Sequence, residues 1–216
     1  MGLRTNIINL LASSSPARTD FTLFGRRIHG RDYGTIASAI RNGHIQIVQS
    51  ATFPSGMAAY SRAMNCFTVG ASPSDSLIIH EATHAINDWH GRTLRGTEDE
   101  GLAYVAQMVY VCRTNPAIRA AALSDTTRER TDQSLMMCGA TSRLCSQSTI
   151  GYATIIAATL MDGRAPAADL LQNFQRALSG DPNTLGPSVA RVYNRVTRVE
   201  VPADYLREVA GRLVTD

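Results

Sequence analysis

Ser76-Leu77-Ile78-Ile79-His80-Glu81-Ala82-Thr83-His84-Ala85-Ile86-Asn87-Asp88 governs the reading of the whole chain. Leu77, Ile78, Ile79, Ala82, Ala85, Ile86 and the following Trp89 make a helix of this stretch apolar around most of its circumference, which predicts a buried element. His80, Glu81 and His84 are the polar exceptions, and together they spell HExxH. Residues i and i+4 share one helical face about a turn apart, so the two imidazoles can serve a single zinc ion. Glu81, next to the first imidazole, is placed to act as general base on a water at the metal. In 216 residues with five His, chance alone supplies only about 0.003 copies of the pattern. Burying two imidazoles without partners is costly, and metal coordination satisfies both. The plain alternative is an exposed i, i+4 network of two ordinary His and a Glu.

Just upstream, Ser72-Pro73-Ser74-Asp75 reads as a helix start, with Ser72 as N-cap, Pro73 at the first helical position and Asp75 in the first turn. The helix is expected to run to Asp88 or Trp89, with Gly91 just past its end. A second start, Thr97-Glu98-Asp99-Glu100, has capping-box spacing and leads into GLAYVAQMVYVC, unbroken until Pro116. Towards the N-terminus, residues 1–20 read as a flexible tail and Phe21 to Gly25 as a short strand. Tyr33 to Arg41 reads as a helix stopped by Asn42-Gly43, and His44 to Gln49 as a strand. Ala59 to Ser61 and Cys66 to Val69 read as a hairpin. Beyond Pro116, helices are expected near residues 116–124, 149–161, 166–179, 187–197 and 202–213. The expected fold class is α+β and helix-rich, with a small N-terminal sheet packed on the HExxH helix and a mostly helical C-terminal half. One domain is expected over residues 1–216, with 117–216 as a helical C-terminal subdomain.

Composition narrows the alternatives. At roughly 150 residues per domain, 216 residues favour one medium domain. With 44% hydrophobic and 18% charged residues, disorder, collagen-like repeats and a pure coiled coil are poor readings. The net charge of +3 is spread along the chain, so it gives no support to nucleic-acid binding. Ile150 to Met161 is shorter than the roughly 20 residues of a membrane span and is followed by Asp162, which makes it a buried helix. The apolar run Ile7 to Leu11 is too short and broken for a secretory leader, so the expected location is cytoplasmic or exported without a conventional signal peptide. Cys66, Cys112, Cys138 and Cys145 form no CxxC pair and are expected to be buried free thiols, a Cys138 to Cys145 bridge being the alternative outside a reducing compartment. His29, His44 and the charged run Arg128-Glu129-Arg130 are expected to be structural or exposed.

From about Tyr60 to Val111 the hairpin, SLIIHEATHAIND and DEGLAYVAQMVYV follow in an order that resembles the zincin metallopeptidases. The resemblance implies an active-site helix under a small sheet whose edge strand aligns the substrate; it does not extend to the C-terminal half. Its branch turns on the third zinc ligand, because catalytic zinc usually takes three protein ligands and a water. Glu100-Gly101-Leu102-Ala103 has the gluzincin form, a Glu on the next helix followed three residues later by a small residue. Glu98 and Asp99 are adjacent substitutes, and a capping role on the Thr97 amide is the structural alternative for Glu100. Several gluzincins carry an Asp four residues after that Glu, where this chain has Tyr104. The other option is His90, since HEATHAINDWH resembles the metzincin pattern with Asn87 in place of its Gly, and Met136-Met137 offers a Met-turn. If the helix reaches Trp89, His90 lies about 280° around the axis from His80, too far to share a metal. Glu100 is therefore preferred.

The chemistry so implied is a zinc-dependent metallopeptidase acting on a peptide or protein substrate, with His80, His84 and Glu100 holding Zn2+ and Glu81 as base. The oxyanion donor is left open among Tyr104, Tyr152, Tyr193 and His90. The role of a cellular protease and that of an effector or toxin fit equally. The competing reading is a zinc-stabilised binding module that keeps HExxH without cleaving. Glu81 argues against it, as does the absence of Cys near the motif, because structural zinc sites usually close with four ligands, often Cys.

Overall fold

The computed structural model describes residues 2–124, 147–180, 190–192 and 200–216. The fold is α+β and helix-rich, with a small sheet. The chain divides into two compact units, one of Met1–Asp20, Arg27–Arg92 and Val192–Asp216, the other of Phe21–Arg26 and Thr93–Arg191.

The first unit begins with a helix, α1 (Leu3–Ala12), where a tail was expected. Ile7, Ile8 and Leu11 recur at helical spacing and are buried, while Asn9, which interrupts the apolar run in sequence, faces solvent. A short turn, α2 (Ser14–Ala17), follows. The expected strand at Phe21 to Gly25, a segment that belongs to the second unit, is present as β1 (Phe21–Leu23), and it ends where Phe24 and Gly25 take φ of 51° and 70°. After β2 (Arg26–Ile28), helix α3 (Arg31–Arg41) buries Tyr33, Ile36, Ala37 and Ile40 and packs on α1. The Arg4 guanidinium donates to the carbonyls of Ile40 and Arg41 at 2.9 and 3.1 Å, capping the last turn of α3 with positive charge. Gly43, at φ 75°, then releases the chain into β3 (Gln46–Ser50).

The sheet has the order β4 (Ala58–Ser61), β5 (Cys66–Val69), β3, β8 (Gly211–Leu213). β3 and β5 are parallel, and the two outer pairings are antiparallel. Every residue of β5 is buried, as expected of an interior strand, whereas β4 at the edge buries only Ala58. Helix α4 (Asp75–Trp89) packs against β4 and α3.

The C-terminal expectation over 202–213 needs correction. The chain makes a short helix, α9 (Ala203–Glu208), then passes Ala210 at φ 44° and enters β8, pairing Val48 with Leu213 and Ser50 with Gly211. The free side of β3 supplies backbone partners that a longer helix would forgo. Gly211 is needed at this close approach, because a Cβ there would lie 2.5 Å from Val48 Cγ1. Of the helix expected at 187–197, Ala190–Val192 is a strand instead, β7; the remainder lies outside the described residues.

The second unit is built on α5 (Gly96–Thr114), entered from β6 (Thr93–Arg95). α5 is buried on nearly every side, Leu102, Ala103, Val105, Ala106 and Met108 among others. α6 (Pro116–Ser124), α7 (Gln147–Met161) and α8 (Ala168–Ser179) pack around it and match the helices expected there. Phe174 and Leu178, one turn apart on α8, meet α5 at Gly101, where a Cβ would come within 2.7 Å of Phe24 and 3.1 Å of Leu178. Phe24 and Phe174 stack with centroids 6.4 Å apart. Cys138, Cys145, the Met136-Met137 doublet, Arg128, Glu129, Arg130 and Tyr193 lie outside the described residues.

Candidate metal centre

Helix α4 is fixed at both ends by local chemistry. Its N-cap is Ser74, whose Oγ accepts the Leu77 N–H at 3.2 Å, two residues later than the cap read from sequence. Ser72 instead sits at φ 51°, inside the turn that precedes the helix. At the other end Gly91 takes φ 58°, its N–H bonds the Asp88 carbonyl at 2.9 Å, and the Arg92 N–H bonds the Asn87 carbonyl at 3.1 Å. This is a Schellman stop, and it carries the helix through Trp89 as expected. Midway, the buried Thr83 Oγ1 is 2.9 Å from the Tyr33 hydroxyl on α3, which ties the motif itself to its neighbouring helix.

His80, Glu81 and His84 are 6%, 9% and 8% exposed. One ligand atom from each lies within 4.8 Å of the others, and the two imidazoles meet edge to face with centroids 5.1 Å apart. Two imidazoles and a carboxylate form a donor set that suits zinc, and one helical turn brings them together without any strain of the backbone. The residues present therefore fit the metal implied by the motif.

The strand beside the helix aims a backbone donor at this group. The Gly70 N–H bonds the Met57 carbonyl at 3.0 Å just before β4 begins, so Met57, Ala59 and Ser61 turn their backbone groups towards β5 and Tyr60 turns its own to the open edge. There the Tyr60 N–H donates to Glu81 Oε2 at 2.7 Å. The Tyr60 hydroxyl reaches the other end of α4, donating to Asp88 Oδ2 at 2.7 Å, with Asn65 Oδ1 at 3.3 Å. Burial first, and then the Asp88 carboxylate, push the Tyr60 phenol well above the usual tyrosine range, so it remains a donor. Asp88 and Asn65 were not singled out from sequence. Asp88 stands seven residues after Glu81 and so on the same helical face, a legible signal, but its partner across the strand was not.

His90 is the C-cap of α4, and its Nε2 lies 2.9 Å from Asp32 Oδ2 on α3. That contact engages the ring away from HExxH. Asn87 is helical and accepts from Arg92 at 2.9 Å, so it makes no left-handed turn of the metzincin kind. In the second unit, Glu100 lies in the first turns of α5 and is 6% exposed, with Asp99 fully buried beside it. The capping box of α5 is formed by Glu98, whose Oε2 accepts the Arg95 N–H at 2.9 Å. The helix thus begins two residues before the Thr97 start read from sequence, and the capping role assigned as the alternative for Glu100 belongs to Glu98. Tyr104 is buried on α5 and Tyr152 half-buried on α7. His29 lies 3.8 Å from Asp20, and His44 lines a shallow groove with Trp89 and Arg31. Among the described residues no helix is long and apolar enough to cross a membrane. Comparison with protein-family models, curated proteins and solved structures finds no match to the chain, so its reading rests on its own residues.

Proposed function

We propose that this chain is a zinc-dependent metallopeptidase. The observation that carries the reading is the buried convergence of His80, Glu81 and His84 on α4, beside an edge strand whose backbone holds the Glu81 carboxylate. His80 and His84 would hold the ion through ring nitrogens, and Glu100 is proposed as the third ligand because catalytic zinc takes three protein donors. The burial of its carboxylate supports that choice. When bound, zinc would polarise the scissile carbonyl and lower the pKa of a nearby water.

The chain's own residues supply the rest. Glu81 accepts the water proton and returns it to the departing amine. The Tyr60 N–H holds one oxygen of that carboxylate and keeps the group oriented. Edge strand β4, apart from the Tyr60 N–H held by Glu81, would offer its outward backbone groups to an extended peptide, which would bind by adding a strand.

The test combines metal analysis of the purified protein with hydrolysis of fluorogenic casein. Wild-type protein is expected to hold about one zinc per chain, and Glu81→Gln to keep it while hydrolysis falls at least about a hundredfold. Unchanged hydrolysis in that variant, or loss of its zinc, defeats the assignment. His90→Ala is expected to retain zinc and Glu100→Ala to shed it; the opposite pattern transfers the ligand role to His90.

A further inference from the structure

Glu81 and Asp88 project from α4 two turns apart, and both engage the same residue of β4, one through its backbone and one through its side chain. The Tyr60 ring between these two bonds is also wedged on Phe67 of β5, with centroids 5.3 Å apart. Tyr60 is therefore held at three points: its amide on Glu81, its ring on the sheet and its hydroxyl on Asp88 and Asn65. Asp88 is 1% exposed and Asn65 4%. A buried carboxylate is costly to keep unless it is needed or well bonded, and charge-assisted bonds of this length are the strong ones.

We infer that Asp88 is a positioning residue for Glu81: by gripping the Tyr60 hydroxyl it sets where β4 crosses α4, and so delivers the Tyr60 N–H to the base. β4 has a backbone ladder on one side only, so its outer side keeps a freedom that pairing with β5 does not remove. The Asp88 bond removes that freedom two helical turns away from the reaction, out of contact with substrate. This inference rests on the assignment of Glu81 as base for its catalytic consequence, but its structural part stands apart from the metal and from hydrolysis.

The experiment uses the full chain with Tyr60→Phe, Asp88→Asn and the double variant. Each keeps the shape of the side chain it replaces, and the Phe ring still packs on Phe67. The first measurement is amide hydrogen exchange by NMR. In wild-type protein the Tyr60 amide is expected to be protected although it faces the open edge, and in both single variants its exchange is expected to quicken about tenfold or more, while the Phe67 and Val69 amides hold their rates. The double variant is expected to match Tyr60→Phe instead of multiplying the singles, since Asp88→Asn weakens, by removing its charge, the same bond that Tyr60→Phe abolishes. The second measurement is hydrolysis of fluorogenic casein by zinc-loaded protein, where kcat is expected to fall about tenfold with KM changed less than about twofold. Unaltered Tyr60 protection in both variants overturns the inference, and so does quickening spread evenly over β4 and β5, which would mark mere loosening of the sheet. Loss of amide protection with unchanged kcat overturns the catalytic part. If wild-type protein hydrolyses nothing, the proposed peptidase activity fails, and the exchange rates alone still decide whether Asp88 positions the Glu81 partner.

Discussion

Replacing Thr83 by Val, inside HExxH but not at a ligand, is expected to destabilise the first unit more than replacing its partner Tyr33 by Phe. Both side chains are fully buried, and their oxygens lie 2.9 Å apart. Thr83 has one hydroxyl proton, and it is directed to the Ile79 carbonyl at 2.9 Å, so Tyr33 must donate to Thr83. Burial, the largest influence, holds the Tyr33 phenol well above the usual range, so this assignment is unchanged at any working pH. Tyr33→Phe removes a donor and leaves Thr83 still bonded to Ile79, a loss of about 0.5–1.5 kcal/mol. Thr83→Val leaves the Tyr33 hydroxyl buried with no acceptor, which costs about 1–3 kcal/mol. The double variant removes both polar groups and should cost about 1 kcal/mol less than the two singles together. The assay is urea unfolding followed by fluorescence of Trp89, the chain's single Trp, at the end of the same helix. A larger loss for Tyr33→Phe, or strict additivity, refutes the donor assignment and the role of this bond in seating the motif.

Two further predictions concern the same unit. Gly91→Ala places an L side chain at φ 58° and should cost about 1–2 kcal/mol in the same unfolding assay, with Gly91→Asn losing less; an Ala variant as stable as the parent would show that the Schellman stop is dispensable. The Cys66 thiol is pushed up to about 11 by burial, against smaller opposing effects of Thr68 and Tyr205, and a raised pKa means less thiolate at a given pH. At pH 8 the thiolate fraction is on the order of 0.1%, so Cys66 should escape iodoacetamide in native protein and react in urea, as read by peptide mass spectrometry; labelling at the rate of an exposed thiol contradicts the burial argument.

Much of this architecture was legible from residue order. The hairpin of β4 and β5, the span of α4, the left-handed stop at Gly91 and the helices α6, α7 and α8 all sit where periodicity and breakers put them. The helix starts slipped by two residues at both α4 and α5. At α4 the stretch Ser72-Pro73-Ser74-Asp75 offers two serines of equal capping quality and the later one caps; at α5 the cap falls on Arg95, outside Thr97-Glu98-Asp99-Glu100, and Glu98 closes the box from the third helical position. The tail misreading has a similar cause: Ile7, Ile8 and Leu11 are too few to announce a helix, and packing on α3 makes one of them. β8 was missed because its partner, β3, lies more than 150 residues earlier, at a separation local pattern does not report.

For the candidate site, the spacing of His80, Glu81 and His84 by itself determined that their side chains share one face, because helical periodicity is a local property of the backbone. It also set the end of α4 at about Trp89, and with it the preference for Glu100 over His90 as third ligand. Only tertiary structure decided that His90 would turn to Asp32 and that the Tyr60 amide would meet Glu81. The reason is that the side to which a strand turns its N–H groups depends on the phase of pairing with its neighbour. That phase is fixed here by the Met57–Gly70 bond and by the Tyr60 grip on Asp88, contacts between residues that nothing in their local sequence obliges to meet.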